Sequence, residues 1–215
     1  MKGKMLGIVL FAVMVVSILA PVRANAAGGH FYMIGKGGAT FAISRDTGYA
    51  GELGFGCEWK SGVDIFGYEA TVGYFSQSGD IPTPDKGQLT SDSYMAPVSV
   101  TFKTGVQFTS RIRAEAGMGL NVAWVSTDFS GHSDSGALIK DSDSEIVYGY
   151  HGLSRVTFDI TDKVFLGIEY KYIDLFNNTT KPIAIHDQSG RGGYTLTPAP
   201  ISQGYMLMAV VGFRF

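Results

Sequence analysis

The chain has 215 residues, of which 45% are hydrophobic and only 17% are charged, with a formal net charge of -2 at pH 7. This weak charge gives no basis for binding nucleic acid, so we expect no nucleic-acid partner. The single cysteine, Cys57, excludes an intrachain disulfide. Mean hydropathy is +0.13, yet no long apolar run follows residue 20, so the sequence beyond it predicts no transmembrane helix.

The N-terminal residues have the pattern of a secretory signal peptide. Lys2 and Lys4 precede an apolar run over residues 5–20, and Ala24-Asn25-Ala26 matches a small-x-small cleavage site. We therefore expect residues 1–26 to be removed on export and residues 27–215 to form the mature domain. An uncleaved anchor stays open as the alternative, although the run is shorter than the roughly 20 residues that a membrane-spanning helix needs.

Apolar residues then recur at every second position along the mature chain, and this period of two predicts β-strands. Few charges, an export signal and many aromatic residues favour strands that cross a membrane. A hairpin is also predicted within the last long connection, from segments 183–186 and 194–197. The eight predicted strands are 30–41, 49–59, 63–75, 94–108, 111–125, 145–160, 164–175 and 205–215.

The predicted connections alternate in length. Short turns at 60–62, 109–110 and 161–163 follow the even strands. Polar loops at 76–91, 126–144 and 176–200 follow the third, fifth and seventh strands. Outer-membrane barrels have this asymmetry, with short periplasmic turns and longer extracellular loops. The sequence therefore predicts an all-β fold, an eight-stranded antiparallel transmembrane β-barrel with an up-and-down meander, located in the bacterial outer membrane.

The alternation also separates charged residues from lipid. On the outward parity, charges occur only at strand ends, as Asp64 and Asp174, whereas the inward parity carries six acids and six bases. The acids are Glu52, Glu58, Glu69, Glu115, Asp159 and Glu169, and the bases are Lys36, Lys103, Arg113, Arg155, Lys171 and Arg214. Cys57 falls on the outward parity, so we expect it to face lipid and to be inert.

An eight-stranded barrel is only wide enough for side chains to fill, so these inward charges are expected to pair with one another. We interpret them as a structural plug, and a narrow or gated ion path along the same residues is the alternative. The pairs expected between neighbouring strands are Lys36–Glu52, Glu69–Lys103, Lys103–Glu115, Glu115–Arg155, Arg155–Glu169 and Arg113–Asp159, with Lys171 in the same network.

The last strand ends on an aromatic residue. Tyr205, Phe213 and Phe215 lie on its outward row, and such an ending resembles the C-terminal signature of bacterial outer-membrane barrels. The resemblance implies that these three residues act as a signal for the barrel-assembly machinery.

Two further stretches support a family resemblance: FYMIGKGG at 31–38 and AEAGMGL at 114–120. With the terminal Phe, they make the chain similar to small outer-membrane barrels of the OmpA, OmpX and opacity-protein type. Members of such families serve as adhesins, membrane anchors or small pores. The resemblance therefore implies contact with outer-membrane lipid and lipopolysaccharide, but it does not select one function.

We predict no catalytic residue and no cofactor. Lipid A deacylase barrels use a His and a Ser two residues apart, and no His-x-Ser occurs here, so His151 is expected to be a polar member of the lumen. The inward charges also argue against an apolar upper lumen that would hold an acyl chain. The alternating acids of 141–145 could bind calcium, but they lack the glycine of an EF-hand loop, and a solvated acidic loop is favoured.

These observations predict a non-enzymatic structural or surface-interaction protein, with an adhesin-like role carried by polar extracellular loops that bind a ligand. A small porin-like channel for ions or small solutes is the first alternative, and a lipid-modifying barrel enzyme is the second.

Overall fold

The computed structural model describes residues 29–42, 47–82, 88–132, 138–176, 183–186, 193–196 and 203–215. The predicted signal peptide, residues 1–26, lies outside this part of the chain. Within the described segments, no helix has the length and apolar character that crossing a membrane requires.

Ten strands are described. Eight of them are long: β1 His30–Ala42, β2 Gly48–Ser61, β3 Asp64–Pro82, β4 Gln88–Gln107, β5 Ile112–His132, β6 Leu138–Asp159, β7 Val164–Phe176 and β10 Gln203–Arg214. The other two, β8 Ile183–His186 and β9 Gly193–Leu196, pair with each other in a separate two-stranded sheet. The predicted hairpin is thereby confirmed, with its second strand beginning one residue earlier than expected.

The eight long strands form one closed antiparallel barrel, in the order β1-β10-β7-β6-β5-β4-β3-β2. The seam pairs the first and last strands, from Tyr32 opposite Arg214 to Ala42 opposite Gly204. Closure satisfies the backbone N–H and C=O groups that hydrocarbon cannot hydrogen-bond. The predicted eight-stranded meander is confirmed.

Three tight turns lie at one end of the barrel, which we name the turn end; the opposite end is the loop end. Gly62 has a φ of 65°, in the left-handed region that favours glycine, and turns the chain from β2 to β3. In the other two turns, the side-chain hydroxyl oxygens of Thr109 and Thr161 accept hydrogen bonds from backbone N–H groups. The Thr109 Oγ1 accepts hydrogen bonds from the backbone N–H groups of Arg111 and Ile112, at 3.2 and 3.0 Å.

Side chains alternate between a lipid-compatible outer face and a buried lumen. Leu53 on β2 and Met118 on β5 are exposed on the outside, whereas Glu52 and Glu115 are buried within the barrel. Cys57 departs from expectation. It has outward parity but is only 3% exposed, because it lies between the aromatic register partners Phe31 and Tyr68. The expectation that Cys57 faces lipid is therefore wrong.

Strands β3 to β6 are far longer than predicted. They have 19 to 22 residues, whereas about 9–11 residues cross a bilayer. Most of the predicted loops 76–91 and 126–144 are strand, so those loop predictions are wrong. Backbone pairing between neighbouring strands overrides the loop-like composition, and Phe129 is buried within the added length.

The added residues form a four-stranded sheet that we name the extension, comprising residues 77–82, 88–93, 127–132 and 138–143. Each strand continues for six residues, about 20 Å along its direction. Among the described residues, the ladder between β2 and β3 extends to Ser76 and the ladder between β6 and β7 begins at Tyr148, so the extension continues past both neighbouring strands. In the part of the chain that the structure describes, the barrel wall is therefore higher at β3–β6 than at β7, β10, β1 and β2.

Substitution of Gly212, near the turn end, tests how tightly side chains pack in the lumen. A Cβ added at Gly212 on β10 would overlap the ring of Phe165, which packs under the Arg214 guanidinium, 4.4 Å from the ring centroid. We expect Gly212→Ala to lower the free energy of unfolding by about 1–3 kcal/mol, as overpacking does in tight cores. Urea unfolding in lipid vesicles measures this loss.

Gly37→Ala on β1 is the matched control for Gly212→Ala. It lies on the same seam, and a Cβ at Gly37 meets no atom within 4 Å. Equal stability of the two variants would show that the Phe165 ring can move aside without cost.

Candidate functional site: the charged lumen

All twelve inward charges identified from the sequence are buried in the barrel, with exposures from 0% for Glu169 to 8% for Asp159. They form two groups. The central charge cluster contains Lys36, Glu52, Glu69, Lys103, Glu115, Arg155, Glu169 and Lys171, and the turn-end charge cluster contains Glu58, Arg113, Asp159 and Arg214.

Lys36 bridges several strands within the central charge cluster. Its Nζ lies 3.0 Å from Glu52 on β2, 2.7 Å from Glu69 on β3 and 2.9 Å from Glu169 on β7. Lys171 then contacts Glu52 from β7 at 2.5 Å. One ammonium group therefore contacts carboxylates from three different strands.

Arg155 on β6 is the second hub of this cluster. Its two terminal nitrogens donate to Glu69 at 2.9 and 2.8 Å, and its Nε donates to Glu169 at 2.7 Å. Glu115 lies 3.5 Å away. The planar guanidinium suits this arrangement, because it presents five donors in fixed directions.

Tyr32 and Lys103 complete the surroundings of Glu69. The Tyr32 hydroxyl donates to Glu69 at 2.8 Å, and the Lys103 Nζ lies 3.6 Å from Glu69 and 3.1 Å from Glu115. The same Nζ lies 4.8 Å from the centroid of the Tyr32 ring. Glu69 thus accepts hydrogen bonds from a phenol and a guanidinium while two ammonium groups lie beside it.

The turn-end charge cluster alternates acids and bases in a ring of four. Arg113 contacts Glu58 at 2.6 Å and Asp159 at 2.7 Å. Arg214 contacts the same two carboxylates, at 3.0 and 2.9 Å. The four residues come from β5, β2, β6 and β10, so the ring ties the last strand to two strands that are not its neighbours.

The six pairs expected between neighbouring strands are all present as contacts within 4 Å. Sequence reasoning missed the contacts that cross the lumen, such as Lys36–Glu69, Arg155–Glu69 and Lys171–Glu52. It also gave no partner to Glu58 and did not include Tyr32. The inward parity of Tyr32 and its hydroxyl were the available signals.

Several uncharged polar residues lie on the loop-end side of the central charge cluster. The ring Nε2 of His151 lies 2.8 Å from the Thr101 hydroxyl, and Ser99 donates to Asn121 at 2.6 Å. His151 is buried, as expected of a polar lumen residue. Its Nδ1 has no hydrogen-bond partner among the described atoms.

Beyond these residues, the loop end of the lumen is apolar. Phe75, Met95, Ile173, Leu175 and Met206 point inward and form a buried cluster, the apolar layer, together with Ala50, Ala123, Val125, Val147 and Met208. The expectation that inward charges exclude an apolar upper lumen is therefore wrong. Charges and apolar residues share the inward parity but occupy different heights in the barrel.

This geometry agrees with the family comparison, in which residues 8–197 match the model of the outer membrane protein beta-barrel domain. The chain belongs to the outer membrane protein β-barrel family. The resemblance to small outer-membrane barrels is thereby confirmed, and family membership places the protein in the bacterial outer membrane. The search of curated proteins found no match.

Solved structures of other outer-membrane barrels have a similar fold. A major outer membrane protein from Thermus thermophilus has a TM-score of 0.63 and 13% identity, over 87% of this chain and 99% of that chain. OprG from Pseudomonas aeruginosa has a TM-score of 0.49 and 15% identity, over 87% and 93%. Neisserial surface protein A has a TM-score of 0.46 and 13% identity, over 87% and 97%. At these identities the likeness concerns the fold alone.

The three residues of the expected assembly signal lie on the outer face of this β-barrel. The Phe213 ring lies 5.6 Å from that of Phe215, which lies 6.2 Å from Phe55. Tyr205, at the loop end of β10, stacks against Tyr170 at 5.9 Å. Their role in assembly stays a prediction.

The calcium hypothesis falls largely on side chains outside the described residues, those of Asp141 and Asp143. Elsewhere in the described part of the β-barrel, no group of three or more His, Cys, Asp and Glu side chains is arranged to hold a metal ion.

Because Arg155 contacts three carboxylates, its substitution tests whether the charge network stabilises the barrel. We expect Arg155→Met to lower the free energy of unfolding by about 3–5 kcal/mol, because Glu69 and Glu169 are left buried without their guanidinium partner. Arg155→Met combined with Glu69→Gln should lose less than the single variant, since one uncompensated charge is removed. Urea unfolding in lipid vesicles measures both.

Lys60→Ala is the surface control for Arg155→Met. Lys60 is exposed and donates a hydrogen bond to Gln107 at 2.8 Å, and an exposed contact of this kind contributes about 0–1 kcal/mol. If Arg155→Met cost no more than Lys60→Ala, the network would not stabilise the barrel.

Proposed function

We propose that this protein is a non-enzymatic outer-membrane barrel with a structural plug in its lumen, and that it acts through surface interactions of its extension. The observation that carries this proposal is the set of charge contacts that cross the lumen. Every barrel strand contributes to the two charge clusters, and β10 does so through Arg214. A passage would have to separate buried opposite charges, which is costly.

A non-enzymatic role is supported by the ion pairs that the buried acids and bases form. Lys36 and Arg155 both form ion pairs with Glu69, at 2.7 and 2.8 Å. Catalytic sites instead need a nucleophile or base that faces a space where substrate can sit.

Conductance in planar bilayers tests the plug. We expect the refolded protein to give no sustained large openings, because the paired charges fill the lumen. The small porin-like channel predicts the opposite: openings in the wild type, with a conductance that changes on Glu115 or Arg155 substitution. Sustained openings of the wild-type protein would refute the plug.

A surface role is supported by the chemistry of the extension. The outward side chains that the structure describes in the extension carry hydroxyls and carboxylates, which suit water rather than lipid. Ser78 donates to Asp92 at 2.6 Å across neighbouring strands. Because outer-membrane barrels place their long connections outside the cell, we infer that the extension is extracellular. The outward residues whose side chains are described are Ser78, Asp80, Thr90, Asp92, Asp128, Ser130 and Ser142.

The outward face of the extension provides the groups for a partner. We infer that this face, with the exposed side chains of Ser78, Asp80 and Asp128, is the contact surface. Export by a signal peptide cleaved after residue 26, folding by the barrel-assembly machinery and contact with lipopolysaccharide are parts of the same proposal.

Shortened variants test the surface role. Ser76 lies opposite Tyr94, and Ser126 lies opposite Ser144, so residues 77–93 or 127–143 can each be replaced by an Asn-Gly turn that keeps the register. We expect the doubly shortened barrel to fold but to lose binding to an array of immobilised extracellular-matrix proteins. Binding that survives both deletions would refute the role of the extension.

A further inference from the structure

A carboxylate lies among tyrosines on the outer face of the barrel, near the loop end. Asp174 on β7 has outward parity, and its register partners are Tyr150 on β6 and Gln203 on β10. Tyr172 precedes Asp174 by two residues and therefore lies on the same face of β7. These four residues lie side by side on three neighbouring strands, outside the charged lumen.

Neutral groups hold one oxygen of this carboxylate. The Tyr150 hydroxyl donates to Asp174 Oδ2 at 2.8 Å, and the Tyr172 hydroxyl does so at 3.2 Å. The Gln203 amide donates to the same oxygen at 3.4 Å. Among the described contacts, none reaches Oδ1 and none brings a Lys, Arg or His side chain to Asp174. Asp174 is thus oriented by hydrogen bonds but, unlike the lumen acids, has no described counter-charge.

Aromatic rings surround the carboxylate. The Tyr150 ring centroid lies 6.5 Å from that of Tyr172 and 5.4 Å from that of Phe176. The Tyr172 centroid lies 5.2 Å from that of Tyr205. Tyr150 and Phe176 are 40% and 49% exposed, so part of their ring surface is open to a ligand. The negative face of an aromatic ring attracts cations, and this attraction acts in the same direction as the charge of Asp174.

Gly152 leaves open space next to these rings. It lies opposite Tyr172 on β6, two residues from Tyr150 on the same outer face. A Cβ built at Gly152 meets only the Gly117 carbonyl oxygen, at 4.0 Å. A small group can therefore lie against the Tyr172 ring without displacing a side chain of β6.

The chemistry of this surface selects the ligand. A negative carboxylate beside aromatic rings suits an organic ammonium group, which both of them attract. Calcium takes about six to eight oxygen ligands, more than one carboxylate and two hydroxyls provide. An anion would be repelled by Asp174.

We propose that Asp174, Tyr150 and Tyr172 form a site on the outer face of the barrel that binds an organic ammonium group. Asp174 Oδ1 faces the ammonium, and the two tyrosine rings contact the carbon atoms next to it. Tyrosines of this kind form the aromatic girdle at the membrane–water interface. A phospholipid headgroup and a free amine share this chemistry there, and the experiment separates these two sources.

The experiment uses the full-length protein with isotope-labelled tyrosine in lipid nanodiscs, and NMR records the ring resonances of Tyr150 and Tyr172. Nanodiscs of phosphatidylglycerol are the reference, because this lipid has no ammonium group. One arm replaces part of this lipid with phosphatidylethanolamine. The other arm adds ethanolamine in solution, with sodium chloride at equal ionic strength as its control. We expect a saturable shift of both resonances in at least one arm.

Asp174→Asn keeps the size of the side chain but removes its charge. We expect it to weaken binding by about tenfold or more, because a hydrogen bond between two charged groups is lost. Asp64→Asn is the matched control. Asp64 is also an outward acid at a strand end, but its register partners are Ser61 and Val106 rather than tyrosines, so its substitution should leave binding unchanged.

Two variants of Tyr150 separate its ring from its hydroxyl, with the Tyr172 resonance as the readout. Tyr150→Leu should weaken binding by about two- to fivefold, because an exposed cation–π contact is lost. Tyr150→Phe keeps a ring and should weaken binding less. Equal binding by Tyr150→Leu and the wild type would overturn the site as proposed.

Shifts in the phosphatidylethanolamine arm alone assign the site to a lipid headgroup, and shifts with free ethanolamine assign it to a soluble amine. Both results support the proposal. The absence of a saturable shift in both arms would overturn it, and so would equal binding by a folded Asp174→Asn protein. Heat-dependent migration on denaturing gels checks the folding of every variant.

Discussion

The pairing of buried charges is the interaction on which the rest of this structure depends. A strand that crosses lipid can place polar side chains on one face only, so every charge in the membrane-spanning part must turn inward. Six acids and six bases then share a lumen that side chains fill. A lone buried charge is costly, and in the described contacts all of these charges except Lys171 have partners on two or more other strands.

This dependence explains why the barrel is cross-linked through its interior as well as through its wall. The wall pairs each strand with its two neighbours, whereas Arg155 and Lys36 connect strands that are not neighbours. The turn-end charge cluster does the same for Arg214. The last strand is therefore held to the rest of the barrel by side chains in addition to its backbone ladder.

The period of two in the sequence predicts only part of this arrangement, namely which charges face the lumen. Parity assigns each charge to the lumen, and strand order gives neighbours such as Lys36 and Glu52, which lie directly opposite each other. Contacts across the lumen, such as Arg155 with Glu69, depend on the tilt and stagger of the strands. No local pattern in one strand contains that information, so these contacts could not be predicted.

The two regions that sequence reasoning misjudged share a physical cause. Alternation is visible only where one face is apolar and the other polar. In the extension both faces are largely polar, as at Gln77 and Ser78, and the strand resembles a loop. In the apolar layer both faces are apolar, as at Trp124 and Val125, and the inward residues are not distinguished. Backbone pairing continues through both regions because it does not depend on side-chain contrast.

The charge clusters and the apolar layer lie at different heights along the barrel axis, and their side chains differ in how easily they can rearrange. In the charge clusters, moving Arg155 or Lys36 would break several buried contacts at once, so this half is fixed. The apolar layer is held by non-directional contacts and contains the adaptable side chains of Met95, Met206 and Met208. Side-chain rearrangement is therefore less costly at the loop end than in the charge clusters, and the extension continues the strands from this same end.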